Sequence, residues 1–338
     1  MNQLVAHNII DTKQAHELNE IKNHFDIRVP QSYLNEIKDN NEVLKKQFIP
    51  SSNELVFFPE ELEDPIGDEI WSPVEGITHR YPDRVLLKPT YMCAAYCRFC
   101  FRRYKVSHTE YNLKEEAYQK ALEYIKLNSQ IEEVILTGGD PLTLTDTILG
   151  KILIDLANIE HIKVLRFHTR VPSLLPSRIT QNLVTLLKNT KKSVWVAAHI
   201  NHHDEFKPET KKALALFIDN GIPVLLQSVL LKGVNDSTEN LIQLFKAAVE
   251  NRVKPYYLHY PDLAKGTKHF RIPLREAILL VKSLRGKISG LCIPHFILDI
   301  PGGKGKIEIN PHYSREISAG LWQFESPRDG SITEIRYS

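Results

Sequence analysis

The sequence predicts an α/β protein, a partial (βα)6 TIM-like barrel preceded by a helical N-terminal region. Three observations carry this. From about residue 84 onward, short runs with strand character alternate with amphipathic runs of helical length. Several strand runs are continuously apolar, as strands covered on both faces require. Six such units occupy roughly 200 residues, whereas a closed eight-unit barrel takes about 250.

The elements follow in order. Residues 1–83 read as a helical region and connector. AHELNEIKNHF and SYLNEIKDNNEVLKKQF carry apolar residues at helical spacing, and the Pro- and acid-rich FFPEELEDPIGDEIWSP reads as an ordered connector. Strand runs are expected at 84–90, 133–138, 163–169, 194–200, 223–231 and 254–260. HFILDI at 295–300 is a seventh, outside the barrel or at its edge. Helical patterns such as EEAYQKALEYIKL, SRITQNLVTLLKN and TENLIQLFKAAVE separate them. The barrel spans 84–310, and 311–338 is a short C-terminal segment. An open doubly wound sheet is the alternative, but the G-x-G-x-x-G fingerprint after the first strand is absent.

Composition narrows the function classes. Apolar content of 42% and charge of 25% suit a globular protein, and the net charge of +2 argues against a nucleic-acid surface. No 18-residue apolar run predicts a membrane span, and MNQLVAHNIIDTKQAHE does not read as a signal peptide. Three of the four cysteines lie within eight residues, which is not a disulfide framework. A reducing cytoplasm fits best.

The first strand ends in LLKPTYMCAAYCRFCFRRYKV, which spaces Cys93, Cys97 and Cys100 as C-x-x-x-C-x-x-C. Closely spaced thiolates on a loop suit one soft metal centre. Three ligands for a four-iron cubane leave one iron open for substrate. A structural zinc site would show paired C-x-x-C motifs or nearby histidines. Cys292, in SGLCIPHFILDI, reads as a buried apolar residue.

CAAYCRFC resembles the signature of the radical S-adenosylmethionine (SAM) superfamily. That resemblance implies a [4Fe–4S] cluster, S-adenosylmethionine chelated on the open iron and a 5′-deoxyadenosyl radical. It also implies a cellular electron donor such as flavodoxin or ferredoxin and a barrel of the radical SAM type. LTGGDPL, with Gly138, Gly139 and Asp140, resembles the segment that contacts the methionine amino group.

From about residue 25 to 315 the chain resembles lysine 2,3-aminomutases. The matching stretches include SPVEGITHRYPDRVLL, HINHHDE, QSVLLKGVND, KPYYLHYPDLAKGTKHFR and SGLCIPHFILDIPGGKGK. The resemblance implies pyridoxal 5′-phosphate (PLP) held as an aldimine by Lys306, with Lys304 as the weaker candidate because it interrupts the glycine run. It assigns the cofactor phosphate to Arg80, Tyr81 and Arg84, the cofactor pocket to His199 and Gln227, and the substrate carboxylate to Arg102. Asp262 and Asp299 would clamp the side-chain ammonium of L-lysine, since two neighbouring carboxylates call for a cation between them. The implied reaction is conversion of L-α-lysine to β-lysine by a radical generated on the SAM cofactor. His259, where the free-lysine enzymes have tyrosine, resembles instead the branch that makes β-lysine for elongation factor P. A glutamate mutase, another radical enzyme class and a non-catalytic cluster protein stay as alternatives. Whether the chain forms a homo-oligomer is open.

Overall fold

Nine strands form one sheet whose spatial order is their order in the chain. The structure is a computed structural model that describes residues 2–39 and 41–337. The strands are β1 (Ile77–Tyr81), β2 (Arg84–Thr90), β3 (Glu133–Gly138), β4 (Val164–Thr169), β5 (Ser193–His199), β6 (Val224–Val229), β7 (Lys254–His259), β8 (His295–Ile300) and β9 (Gly305–Glu308). β2 through β8 are parallel, while β1 and β9 flank them antiparallel. A doubly wound sheet would reverse its strand order midway, and this one does not. Among the described residues no ladder joins β1 to β9, so the barrel is open along one seam. β8, the seventh apolar run, ends the parallel set.

Each crossover from β3 to β7 carries a helix of the expected kind. Asp146–Ala157, Gln181–Asn189 and Thr238–Glu250 start on Thr145, Thr180 and Ser237, whose side chains accept the N3 backbone N–H. Pro208 opens Pro208–Asp219, where its missing N–H costs nothing. Strand alternation divides the sheet's two faces. Val85, Leu87, Val134, Leu136, Leu165, Phe167 and Val196 are buried in the core shared with the helices. The residues between them, including Lys88, Thr137, His168, His199, Gln227, His259 and Asp299, lie on the opposite, luminal face.

Two features differ from the sequence expectation. β1 lies inside 1–83, because ITHRY is half polar and short. Residues 311–338 contain an antiparallel sheet of β10 (Ser314–Ser318), β11 (Leu321–Glu325) and β12 (Ile332–Arg336), each five residues long, with β10 and β12 exposed and the central β11 half-buried. Among the described residues no helix is long and apolar enough to cross a membrane.

Candidate active site

The cysteine loop between β2 and the helix Glu115–Leu127 is held by the N-terminal region. Arg28 Nη1 donates to the Cys93 carbonyl at 2.8 Å, and the Arg98 N–H donates to the Gln47 carbonyl at 2.9 Å. Fully buried Arg98 grips Glu54 with Nε at 3.0 Å and Nη2 at 2.6 Å, and Arg103 donates to the same carboxylate. Burial alone would raise the Glu54 carboxyl, but the two guanidinium groups outweigh it and keep the group ionised.

Burial pushes the Cys93 thiol well up and the Cys100 thiol to about 11, and the neighbouring sulfurs of the loop push both the same way. The three sulfurs therefore sense one another. Yet among the described residues the one set of three His, Cys, Asp or Glu ligand atoms lying within 4.8 Å of one another is His202, His203 and Asp204. The thiols thus stand farther apart than the ligands of a single zinc, whose bonds of about 2.3 Å bring sulfurs close. A cubane, with each thiolate on a different iron, suits that spread. Arg170 Nη1 donates to Cys97 Sγ at 2.9 Å. All four cysteines are unpaired.

The Gly138–Asp140 segment crosses the loop's start. A Cβ on Gly139 would stand 2.4 Å from the Met92 carbonyl oxygen, so only glycine lets the two backbones meet. The Asp140 carboxylate accepts from Thr169 Oγ1 at 2.8 Å and from the backbone N–H groups of Leu142, Arg170 and Val171. It ties the end of β3 to the end of β4, and the Gly138–Gly139 backbone is what faces the loop.

At the open seam, β1 meets β8 and β9. The Lys306 backbone N–H donates to Tyr81 Oη at 2.9 Å, and its ammonium donates to Asp299 Oδ2. Arg80 Nη1 lies 3.5 Å from Asp299 Oδ1. The Arg84 guanidinium sits 4.1 Å above the Tyr81 ring while pairing with Asp83 at 2.7 Å. HRYPDR and PGGKGK are therefore brought together; Lys304 and Lys306 are both exposed, and the one whose ammonium reaches Asp299 is Lys306. The loop between β8 and β9 is pinned by Trp71 Nε1, which donates to the Gly303 carbonyl at 2.8 Å.

Asp262 and Asp299 lie near enough to act on one another's charge. Burial and the Asp299 charge raise the Asp262 carboxyl to about 7, opposed by Lys306 and Arg102. Arg102 is buried, with Nε donating to Asp68 Oδ2 at 2.5 Å and Nη1 to Thr137 Oγ1 at 3.4 Å. In the lumen, His199 Nε2, Gln227 Oε1, His168 Nε2 and His259 Nε2 are buried without a hydrogen-bond partner. Native proteins leave few such atoms, so a luminal row of them fits a polar ligand. Burial depresses all three histidines far below their ordinary value, so they are neutral donors or acceptors. His199 also stacks on Phe99, with ring centroids 5.6 Å apart.

Asp68, Lys88, His168 and Arg170 were not singled out by the sequence. His168 had a signal: in VLRFHT it alternates with Leu165 and Phe167, which places it on the face opposite the core. Asp68 is one of many acids in the connector, and nothing local marks it.

Comparisons with known proteins agree with this geometry. The radical SAM superfamily profile matches residues 87–245, and the profile described as lysine-2,3-aminomutase matches residues 281–320. An L-lysine 2,3-aminomutase from Methanococcus maripaludis is 42% identical over 306 residues, 90% of this chain and 70% of that protein. One from Clostridium subterminale is 42% identical over 275 residues, 81% of this chain and 66% of that protein. A glutamate 2,3-aminomutase from Clostridioides difficile is 35% identical over 303 residues, 89% of this chain and 71% of that protein. At this identity, over most of its length, the chain belongs to the lysine 2,3-aminomutase family of radical SAM isomerases.

Proposed function

We propose that the protein converts L-α-lysine to β-lysine, with Cys93, Cys97 and Cys100 holding a [4Fe–4S] cluster and Lys306 carrying pyridoxal phosphate covalently. The observation that carries the substrate is that Asp262 and Asp299 lie close enough for the Asp299 charge to raise the Asp262 carboxyl, while the Lys306 ammonium donates to Asp299. Two neighbouring carboxylates discriminate for a substrate bearing a cation and against one bearing a carboxylate. The glutamate enzyme among the relatives makes this distinction the decisive one.

Bound in these sites, the cluster with S-adenosylmethionine supplies a radical, and pyridoxal phosphate supplies the π-system over which nitrogen migrates. The protein's part is to place and protect. Arg102 takes the substrate carboxylate and the aspartates take the far ammonium, so the substrate is stretched between two charged ends. Arg80 and Tyr81, set against Asp299 and Lys306, stand where the cofactor phosphate would be held, and Arg84 is stacked beside them. His199 and Gln227 offer the cofactor unpaired polar atoms in the lumen, as do His168 and His259. The Gly138–Gly139 backbone offers close approach to S-adenosylmethionine. His259 also favours a reading as the β-lysine-forming enzyme of elongation factor P modification, which uses the same chemistry. Unpaired cysteines support a reducing cytoplasm supplied by a flavodoxin- or ferredoxin-like donor.

The test is anaerobic reconstitution with iron, sulfide and pyridoxal phosphate, followed by turnover of lysine and, separately, glutamate with product analysis. β-Lysine from lysine and no β-glutamate is the expected result. Glutamate turned over as fast as lysine overturns the reading.

A further inference from the structure

The luminal face of β2 presents a buried lysine that neither the cluster, the cofactor nor the aspartate pair uses. Lys88 is 4% exposed, and its ammonium donates to Thr78 Oγ1 at 2.6 Å. Among the described residues this is the one hydrogen bond recorded for an ammonium with three donors. Lys88 precedes the cysteine loop by five positions and lies on the strand next to Thr137, which receives Arg102. The Gly138 backbone passes over it: a Cβ there would come within 3.1 Å of Lys88 Cβ.

We propose that Lys88 is a second carboxylate-recognition residue, which with Arg102 fixes the α-carboxylate of the amino-acid substrate. The inference rests on the reading of the substrate given above, with Arg102 at its carboxylate end.

The argument is one of charge in a buried space. Asp68 accepts from Arg102 on Oδ2 at 2.5 Å and lies 3.5 Å from Thr78 Oγ1 on Oδ1, so one carboxylate faces two cations through one short network. The other charges nearby are engaged elsewhere. Arg80 pairs with Asp299, and Lys105 pairs with Glu69. The Asp64 carboxylate accepts the backbone N–H groups of Asp68 and Glu69. Asp68 is the carboxylate joined to both cations, with Asp64 opposing Lys88 from farther off, and two of the three Lys88 donors have no protein acceptor among the described residues. A buried ammonium with unused donors is costly, and an anion seated beside it would use them. Burial holds the Lys88 ammonium at about 8, with Arg102 and Lys105 pushing the same way and Asp68 and Asp64 opposing. A carboxylate seated beside it raises it again. The position suits this role, because luminal residues near the C-terminal ends of barrel strands are those that meet substrate.

The experiment compares two ligands that differ only in the α-carboxylate, L-lysine and L-lysinamide, on reconstituted holoenzyme. In K88Q the KM for lysine should rise about 10- to 100-fold, the range for loss of one charge-assisted hydrogen bond. The kcat should move less than about 3-fold, and inhibition by lysinamide should weaken by less than about 3-fold. K88R should recover most of the loss. In the wild type, the KM for lysine should climb above about pH 8 while K88R stays flat. Equal weakening of lysine and lysinamide, or of neither, overturns the proposal and leaves the substrate reading intact. Should K88Q fail to fold, a wild-type KM that is constant from pH 7 to 9 overturns it instead. A wild type that binds no lysine overturns the substrate reading and this inference together.

Discussion

Asp299 and Lys306 stand directly opposite one another in the antiparallel β8–β9 pair, and the Lys306 ammonium donates to the Asp299 carboxylate. Backbone register thus sets this contact, not a chance rotamer. The lysine proposed to carry the cofactor thus supplies a cation to Asp299. When its nitrogen is taken into covalent linkage, Asp299 needs a cation from elsewhere, and a diamino acid brings one.

Borohydride reduction of the holoenzyme should place the cofactor label on the peptide containing Lys306. The ammonium that reaches Asp299 is that of Lys306, so K304A should label as the wild type does, whereas K306A should not label. Peptide mapping that finds the label on Lys304 would invert the assignment.

Removing either aspartate should be expensive for lysine specifically. Asp299→Ala or Asp262→Ala leaves a partly buried cation under-compensated, at a cost of about 2–5 kcal/mol. This is on the order of 30- to several-thousand-fold in kcat/KM for lysine. Steady-state kinetics on both variants decide it, and full retention of lysine activity in both would remove the clamp.

The Asp262 carboxyl also makes a stability prediction. Its folded value of about 7 lies above the ordinary carboxyl value of 3.8, so the folded state binds its proton more tightly than the unfolded state. The stability this confers is complete below about pH 4 and is lost as pH rises toward 7. Asp262→Asn should therefore stabilise the cofactor-free protein at pH 8 and matter little at pH 4. The expected gain is on the order of 1 kcal/mol, or roughly 2–4 °C in melting temperature. A difference between the two proteins that does not change from pH 4 to pH 8 contradicts the account.

Glu54 anchors the N-terminal region to the cysteine loop through Arg98 and Arg103. Glu54→Ala leaves two buried guanidinium groups without their carboxylate and should cost about 3–5 kcal/mol. Denaturant unfolding measures this. Iron and sulfide content after reconstitution should fall with it, because the loop that presents the three thiols loses its support. Normal stability with normal iron content would show that the triad is dispensable.

How far the sequence could be read follows from physical signals in particular residues. The parallel strands β2 to β8 were legible because each is an apolar run bounded by helical patterns. β1 was not, since ITHRY carries no apolar run, and β10 and β12 are exposed strands of mixed sequence flanking the short, half-buried β11. The cysteine spacing was local and therefore legible. The pairing of Asp262 with Asp299 was expected through resemblance alone, and what the register adds is Lys306 opposite Asp299. The Asp68–Arg102 and Glu54–Arg98 pairs span 34 and 44 positions, and no local pattern says which connector acid folds back onto which arginine.

The chain-ordered sheet has a consequence for biosynthesis. Each strand pairs with the strand made just before it, so the segment from β1 to β7 can zip together while the rest is still being translated. Lys306 sits on the last strand of that sheet, and its backbone is received by Tyr81 on the first. The residue proposed to capture the cofactor therefore arrives only when the two ends of the barrel come together. A nascent or truncated chain could take up iron on its early cysteine loop yet have no anchor for the second cofactor. Order of synthesis would then impose an order of cofactor loading, with the metal centre first and the organic group last.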